Sequence, residues 1–511
     1  MSILRIISIP LLLTVLFLAS CTTPDAFRGT SLQPRNSEES PDAGDKAETS
    51  LPSDNSPVDL SITNAILMAI EHNRDFAVQR FAPEITKTNE ETALAKFDPS
   101  ITSSVSNKSA SVGVNGTLPS GTNVNATYSI GLTDSTLYSN RLDSGKAGLT
   151  ITQSLLQGAG LAVNLATLRQ ARLDTRISAY ELRGIAETLV STVEKTSWDY
   201  ILAGQQIEIY ENSLALAQRQ LSETQERVKL GKLAEIELAA AQSEVATRRE
   251  DLINARSTLA KTRVQLVRLL NIPGPDPWSR AITFQTKPVV PEIDLEDVAK
   301  HAAVAAIWRN DLNQARLQVQ RGDLEVLKTQ NGLLPKLDLF IAMGNTSYAN
   351  SFAGSTGTVT VVGLQLTVPI GNRSSEALYT KSVLSREQAK AAVDNMSQLI
   401  EVDVRTAYVE VERTRDQIPA TAAARQLREE TLRGETEKFR VGKSTTFLVA
   451  QAQRDLLQSQ IAETQAVVNY LKALVDLYRL EGSLLQRRGI TVPGPNPVIP
   501  TSDPVLAKSD K

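Results

Sequence analysis

The sequence predicts an α+β membrane protein in which a β-hairpin followed by a long antiparallel helical hairpin occurs twice. Three observations predict it: landmarks that recur at a nearly fixed spacing, short segments that alternate apolar and polar residues, and two long stretches with helical rather than strand character. The composition fits. Of 511 residues only 5% are aromatic and 41% hydrophobic, with abundant Ala, Leu, Gln and Arg, a balance suited to long helices more than to a thick aromatic core. A formal net charge of −3 leaves no basic excess for nucleic acid.

The repeat comes first because it orders everything else. Asn73-Arg74-Asp75-Phe76 is echoed by Arg309-Asn310-Asp311-Leu312, and Phe97-Asp98-Pro99 by Leu333-Leu334-Pro335. Asp75 to Asp311 and Pro99 to Pro335 share an offset of 236 residues. Gly148-Leu149-Thr150-Ile151-Thr152 then matches Gly363-Leu364-Gln365-Leu366-Thr367 at an offset of 215, and Val228-Lys229-Leu230-Gly231-Lys232 matches Phe439-Arg440-Val441-Gly442-Lys443 at 211. Four landmarks in the same order imply a duplication. The fall from 236 to 215 places 21 extra residues of the first copy between Pro99 and Gly148, either reshaping one mouth of the molecule or lengthening a hairpin. The copies are assigned to residues 58–272 and 290–486.

The strands are read from period-two alternation. Val124, Ala126, Tyr128, Ile130 and Leu132 alternate with Asn123, Asn125, Thr127, Ser129 and Gly131, and Val362, Leu364, Leu366 and Val368 alternate with Gly363, Gln365 and Thr367. Such strands suit a barrel wall between lipid and a wet lumen. A soluble sheet with one solvated face would read alike locally.

The helices are read from length and period. Residues 158–231 and 371–442 would run roughly 100 Å as continuous helix at 1.5 Å per residue. Each stretch ends at a Gly-Lys pair, where glycine releases the chain from helical geometry before the apolar pattern resumes. Past the first pair, Leu238, Val245, Leu252, Leu259 and Leu266 repeat every seven residues, as do Ala239, Ala246, Ile253, Ala260 and Val267. A double heptad stripe implies supercoiling against neighbours on more than one side. Pro419 is expected to kink the second outgoing helix.

The ends follow a different logic. Arg5, the apolar run that follows it and Leu18-Ala19-Ser20-Cys21 resemble a bacterial lipoprotein signal, so residues 1–20 are expected to be removed and Cys21, the sole cysteine, to be lipidated. Residues 21–57, rich in Ser, Pro, Asp and Glu, read as a flexible tether, and residues 487–511, punctuated by five prolines, as a loose tail.

Catalytic chemistry is not legible. No phosphate loop, zinc-protease pattern or nucleophile elbow occurs. His72 and His301, one per copy, define no metal site and are expected at the surface or an interface. No enzyme activity, metal or cofactor is therefore expected.

Taken together, the duplicated strands and long helices, the Asn-x-Asp-like openings, Leu-Leu-Pro before a strand and Val441-Gly442-Lys443 at a tip resemble the TolC-like outer membrane efflux protein family, lipoprotein type, over residues 58–485. The resemblance implies a homotrimer in the cell outer membrane. Each protomer would give four strands to a shared β-barrel that continues into a periplasmic α-helical barrel. Two hairpins cannot close a barrel alone, and open strand edges are not tolerated in lipid. It further implies the exit duct of a tripartite efflux pump or type I secretion system, docked to a periplasmic adaptor and an inner-membrane transporter. Leu230, Gly231, Lys232, Val441, Gly442 and Lys443 become the expected adaptor contacts. The family's tip pattern often places an acid six positions after the glycine. Here that position is Glu237 in the first copy but Leu448 in the second, with Gln451 three residues on. Glu237 is the one pore-gate candidate, and a solvated helix-face charge is the equal alternative. A lipid-anchored periplasmic coiled-coil scaffold without a pore would explain anchor and helices but not the alternating strands. The cargo is not encoded in any residue pattern found.

Overall fold

The computed structural model describes residues 58–134, 141–274, 276–291, 295–349 and 357–490, all within one compact unit, Asp54–Lys511. Cys21, with the signal and tether expected over residues 1–57, lies outside the described residues, as does the tail beyond residue 490.

The first copy opens with β1 (Val58–Leu60), α1 (Ile62–His72), α2 (Arg74–Gln79) and α3 (Phe81–Leu94). Ser61 caps α1 by accepting the Asn64 amide at 3.1 Å, and Asn73 both ends α1 and caps α2, accepting the Phe76 amide at 2.9 Å. Four strands follow: β2 (Ser100–Val105), β3 (Ser109–Thr117), β4 (Thr122–Asp134) and β5 (Arg141–Ser154). A single turn of helix, α4 (Leu161–Asn164), leads into α5 (Ala166–Lys229), and α6 (Glu235–Leu270) returns. After β6 (Ile282–Phe284), the second copy has α7 (Val298–Trp308), α8 (Asn310–Asn331), β7 (Lys336–Ala349), β8 (Gly357–Thr367), α9 (Arg373–Arg440), α10 (Thr446–Glu481) and α11 (Leu484–Arg487). Strand β1 pairs in parallel with β6, from Val58 opposite Ile282 to Leu60 opposite Phe284, which ties the start of one copy to the start of the next.

The outgoing helices α5 and α9 hold 64 and 68 residues, and the returning helices α6 and α10 hold 36 each. At 1.5 Å per residue these are about 100 Å against about 54 Å. A returning helix therefore covers only the tip half of its partner. The other half is covered by α3 and α8, which pack on α5, with α8 also packing on α9. Helix α9 continues unbroken through Pro419.

The core lies where the two copies meet, at the far ends of the returning helices from the tips. Ile66 of α1, Val190 of α5, Leu266 and Leu270 of α6, Val404 of α9 and Leu477 of α10 are all buried in one cluster. Full burial of each such side chain contributes about 1.5–3 kcal/mol. Helix α10 stops there because Gly482 takes a φ of 76°, and a Cβ at that position would stand 3.0 Å from the Trp308 carbonyl.

The sheet departs from the expected four strands per protomer. It has six, all antiparallel, in the order β2-β3-β4-β5-β7-β8. Tyr128, Ile130, Leu149, Ile341, Met343, Val362, Leu364 and Leu366 stand exposed on it, a band of apolar surface left uncovered among the described residues. Among the described residues no helix is long and apolar enough to cross a membrane.

Candidate functional site at the helical tips

Both tips are built by one backbone device. In the first, the Gly231 amide donates to the Val228 carbonyl at 2.9 Å and the Lys232 amide to Arg227 at 2.8 Å; in the second, Gly442 donates to Phe439 at 3.1 Å and Lys443 to Lys438 at 2.7 Å. This nested pair of bonds needs a left-handed residue just past the helix end, and Gly231 and Gly442 supply it with φ of 65° and 73°. Nothing lies within 4 Å of a Cβ added at either glycine, so backbone conformation alone demands them.

The returning helices start differently. Thr445 caps α10 by accepting the Leu448 amide at 3.3 Å, whereas α6 has no side-chain cap and carries Glu235 and Glu237 in its first turn, where acids complement the positive helix end. Glu237 is half-buried there, Leu448 is exposed in the matching turn, and Gln451 is exposed. The surface of the tips is apolar with cations beside it. Leu230 and Val441 are 69% and 68% exposed, Ile236 and Phe447 are exposed next to them, and Lys232 and Lys443 flank the glycines.

A contact between the hairpins brings the tips together. The Arg227 guanidinium lies 4.5 Å from the centre of the Phe439 ring and donates to the Phe439 carbonyl at 3.3 Å, and Phe439 is buried. Further from the tips, Arg454 of α10 reaches Glu244 of α6 at 2.9 Å, and Glu244 also pairs with Arg248. Within the second tip, hydrogen bonds from Lys438 and Ser444 hold the Glu435 carboxyl below its ordinary range. Arg227 and Phe439 carry no sequence motif. Only their nearness to each Gly-Lys, Arg227 four residues before Gly231 and Phe439 three before Gly442, could have marked them.

The opening motifs of the two copies meet elsewhere, in a cleft of about 580 Å³ whose lining includes Asn73, Asp75, Glu187, Arg309, Asn310 and Asp311. Asn310 donates to Glu187 at 2.9 Å, and burial pushes the Glu187 carboxyl up to about 7 against the pull of Arg183, Arg309 and Arg479. Of the surface and interface positions expected for His301, the surface one does not hold. The ring is buried, with Nδ1 2.7 Å from Glu481, because α7 packs on α10. Burial alone would raise Glu481, but bonds from His301 and Ser483 and the charge of Arg487 hold it low. His72, half-buried, belongs to the other copy, and its carbonyl accepts from Asn271 at 3.0 Å. No group of three metal-ligating side chains stands together among the described residues.

Known proteins share this arrangement. The chain is 24% identical over 307 residues to the pyoverdine export outer membrane protein OpmQ of Pseudomonas putida, covering 58% of this chain and 62% of that one. It thus spans under two thirds of that relative's length. It is 24% identical over 439 residues to the outer membrane efflux protein BepC of Brucella suis, covering 83% and 86% respectively. Among solved structures, the CmeC outer membrane channel of Campylobacter jejuni superposes with a TM-score of 0.65 at 15% identity, over 89% of this chain and 95% of that one. The family model described as outer membrane efflux protein matches residues 65–271 and 304–483. Two copies of strand pairs and tipped helical hairpins, matched by that model across most of the chain, mean that the chain belongs to the outer membrane efflux protein family.

Proposed function

We propose that three copies of this chain form the exit duct of a tripartite efflux pump or type I secretion system, with the sheet in the outer membrane and the helical hairpins in the periplasm. The observation that carries this reading is the uncovered apolar band of a sheet whose two edges are both unpaired among the described residues. An open edge in lipid leaves backbone groups without partners, at several kcal/mol each, so such a sheet is complete only when other copies close it. The helices agree. One heptad stripe of α6 is turned inward at Val245, Leu252 and Leu266, while Ala239, Ala246, Ile253 and Ala260 of the second remain exposed for a neighbour.

In this reading the tips are the periplasmic gate. Leu230, Gly231, Lys232, Val441, Gly442 and Lys443 meet the adaptor, Glu237 faces the narrow end of the lumen, and an inner-membrane transporter supplies the energy. Cys21, once lipidated after removal of residues 1–20, adds an anchor through the tether of residues 21–57, while the barrel gives lasting insertion. The apolar band disfavours a pore-free scaffold, which would have no use for it.

Conductance of purified protein in planar bilayers, with Glu237→Ala beside the native chain, tests the reading. Discrete pores are expected, with altered cation selectivity in the variant. A folded oligomer that never conducts, even with its tips loosened by mutation, would sink it.

A further inference from the structure

The 21 extra residues of the first copy have a definite place. Shifting β4 by 215 residues lays it on β7, and the same shift lays β5 on β8, so the two strand pairs are equivalent. What remains is the hairpin β2–β3 with its turns. It begins directly after Pro99, where the second copy passes from Pro335 straight into β7.

This hairpin occupies the edge of β4. Nine consecutive residues, Ser109 to Thr117, pair with Gly131 to Asn123, so that edge is closed to any other strand along this length. Its root is docked as well. The Ser154 amide donates to the Gly121 carbonyl at 3.2 Å, the Gly160 amide to Ser120 at 3.3 Å, and a Cβ on Gly121 would stand 2.4 Å from the Gly158 carbonyl.

The hairpin also keeps the division of the sheet into two faces. Ile101 lies opposite Val114, which lies opposite Ala126, then Leu149, then Met343, on one face. Ser104, Ser111, Ser129 and Lys146 follow one another across the other. A slip of one residue would have exchanged these faces, so the agreement ties the hairpin to the same two environments as the barrel strands. The free edges of the sheet are thus β2 and β8. With six strands alternating in direction, they run oppositely, as antiparallel closure between copies requires.

We propose that β2 of one protomer pairs with β8 of the next, so that each protomer gives six strands to the wall and the inserted hairpin forms the seam between protomers. This rests on the trimeric reading above and makes a barrel of 18 strands, since three protomers contribute six each. Barrel diameter grows roughly in proportion to strand number, so the wall is about half as wide again as four strands per protomer would give. Strand β2 has six residues against 11 in β8, which limits this seam to the six positions over which β2 also pairs with β3, fewer than in the other strand pairs of the wall.

Disulfide trapping tests the seam. Thr102→Cys on β2, combined in turn with Val359→Cys, Val361→Cys or Gly363→Cys on β8, is compared with Thr127→Cys on β4 combined with the same three. Single substitutions control for Cys21. The expected result is covalent ladders up to trimer from at least one β2 set after oxidation in membranes, and none from the β4 sets. Deleting residues 100–120 should reverse this, with Thr127→Cys now trapping β8. Ladders from β4 pairs in the full-length chain would overturn the proposal, as would a trimer by native mass measurement that yields no ladder from either set. A monomer by the same measurement would instead overturn the trimeric reading on which it rests.

Discussion

Glu187 shows how one buried side chain can make the fold sensitive to pH. Its carboxyl stands on α5 in the cleft between the opening motifs, accepts a hydrogen bond from Asn310, and is raised from 4.5 to about 7 by burial. The folded state therefore holds this proton more tightly than the unfolded chain, so its contribution to stability is greatest at low pH and falls as pH rises from about 4.5 to about 7. Glu187→Gln keeps an acceptor for Asn310 without the charge. The variant should match the native chain near pH 4 and exceed it in melting temperature by pH 8, for a full difference on the order of 3 kcal/mol. Melting curves across that range check it, and a gap that does not change with pH would show that Glu187 is not the titrating group. Nothing in the sequence pointed to Glu187, because a Glu within a long polar helix reads as solvated until the partner that buries it is placed.

Elements were legible in proportion to how local their physics is. Gly231 and Gly442 announced the turns because a left-handed backbone selects glycine at short range, and the heptads of α6 gave its inward stripe. The hairpin β2–β3 was not legible as strands. Ser100-Ile101-Thr102-Ser103-Ser104-Val105 has only two large apolar residues, and its pairing is fixed by β3, which is itself laid on β4, rather than by its own pattern. His301 misled for the opposite reason: only tertiary packing reveals that it faces Glu481. At the tips the exposed side chains, not the glycines, should carry adaptor affinity. Leu230→Asp with Val441→Asp leaves both turns intact, since neither side chain forms the nested backbone bonds. Adaptor binding should weaken tenfold or more, about 1.4 kcal/mol or above, with pore conductance in the absence of adaptor unchanged. Binding and conductance measured on the same preparation separate the two, and unaltered affinity would place the docking surface elsewhere.

Across the whole molecule the contacts between the two copies are unevenly distributed, and that unevenness bears on how a duct could open at one end while staying shut to lipid at the other. The half remote from the tips is held by the shared core, by the β1–β6 pair, and by ion pairs of α5 with α10 such as Lys195 with Asp476 and Lys472 with Asp199, at 2.8 and 2.7 Å. Near the tips the links between hairpins include polar and cation–π contacts, Arg227 with Phe439 and Arg454 with Glu244, the latter pair partly open to solvent, beside a small pocket lined from both hairpins by Ala217, Ala241, Phe447 and Ala450. Contacts of this kind are worth roughly 0.5–2 kcal/mol each, small beside the core. Movement is therefore cheapest at the tips. Phe439→Ala combined with Arg454→Ala should raise single-channel conductance several-fold, with some loss of thermal stability because Phe439 is buried, while trimer yield stays close to native. High salt should open the native channel part of the way, because it screens the Arg454 pair but leaves the Phe439 ring seated. If the double variant conducts no better than the native protein, the restraint on the narrow end lies between copies rather than between the hairpins of one chain. If it loses its trimers instead, the tips are part of assembly and not a gate.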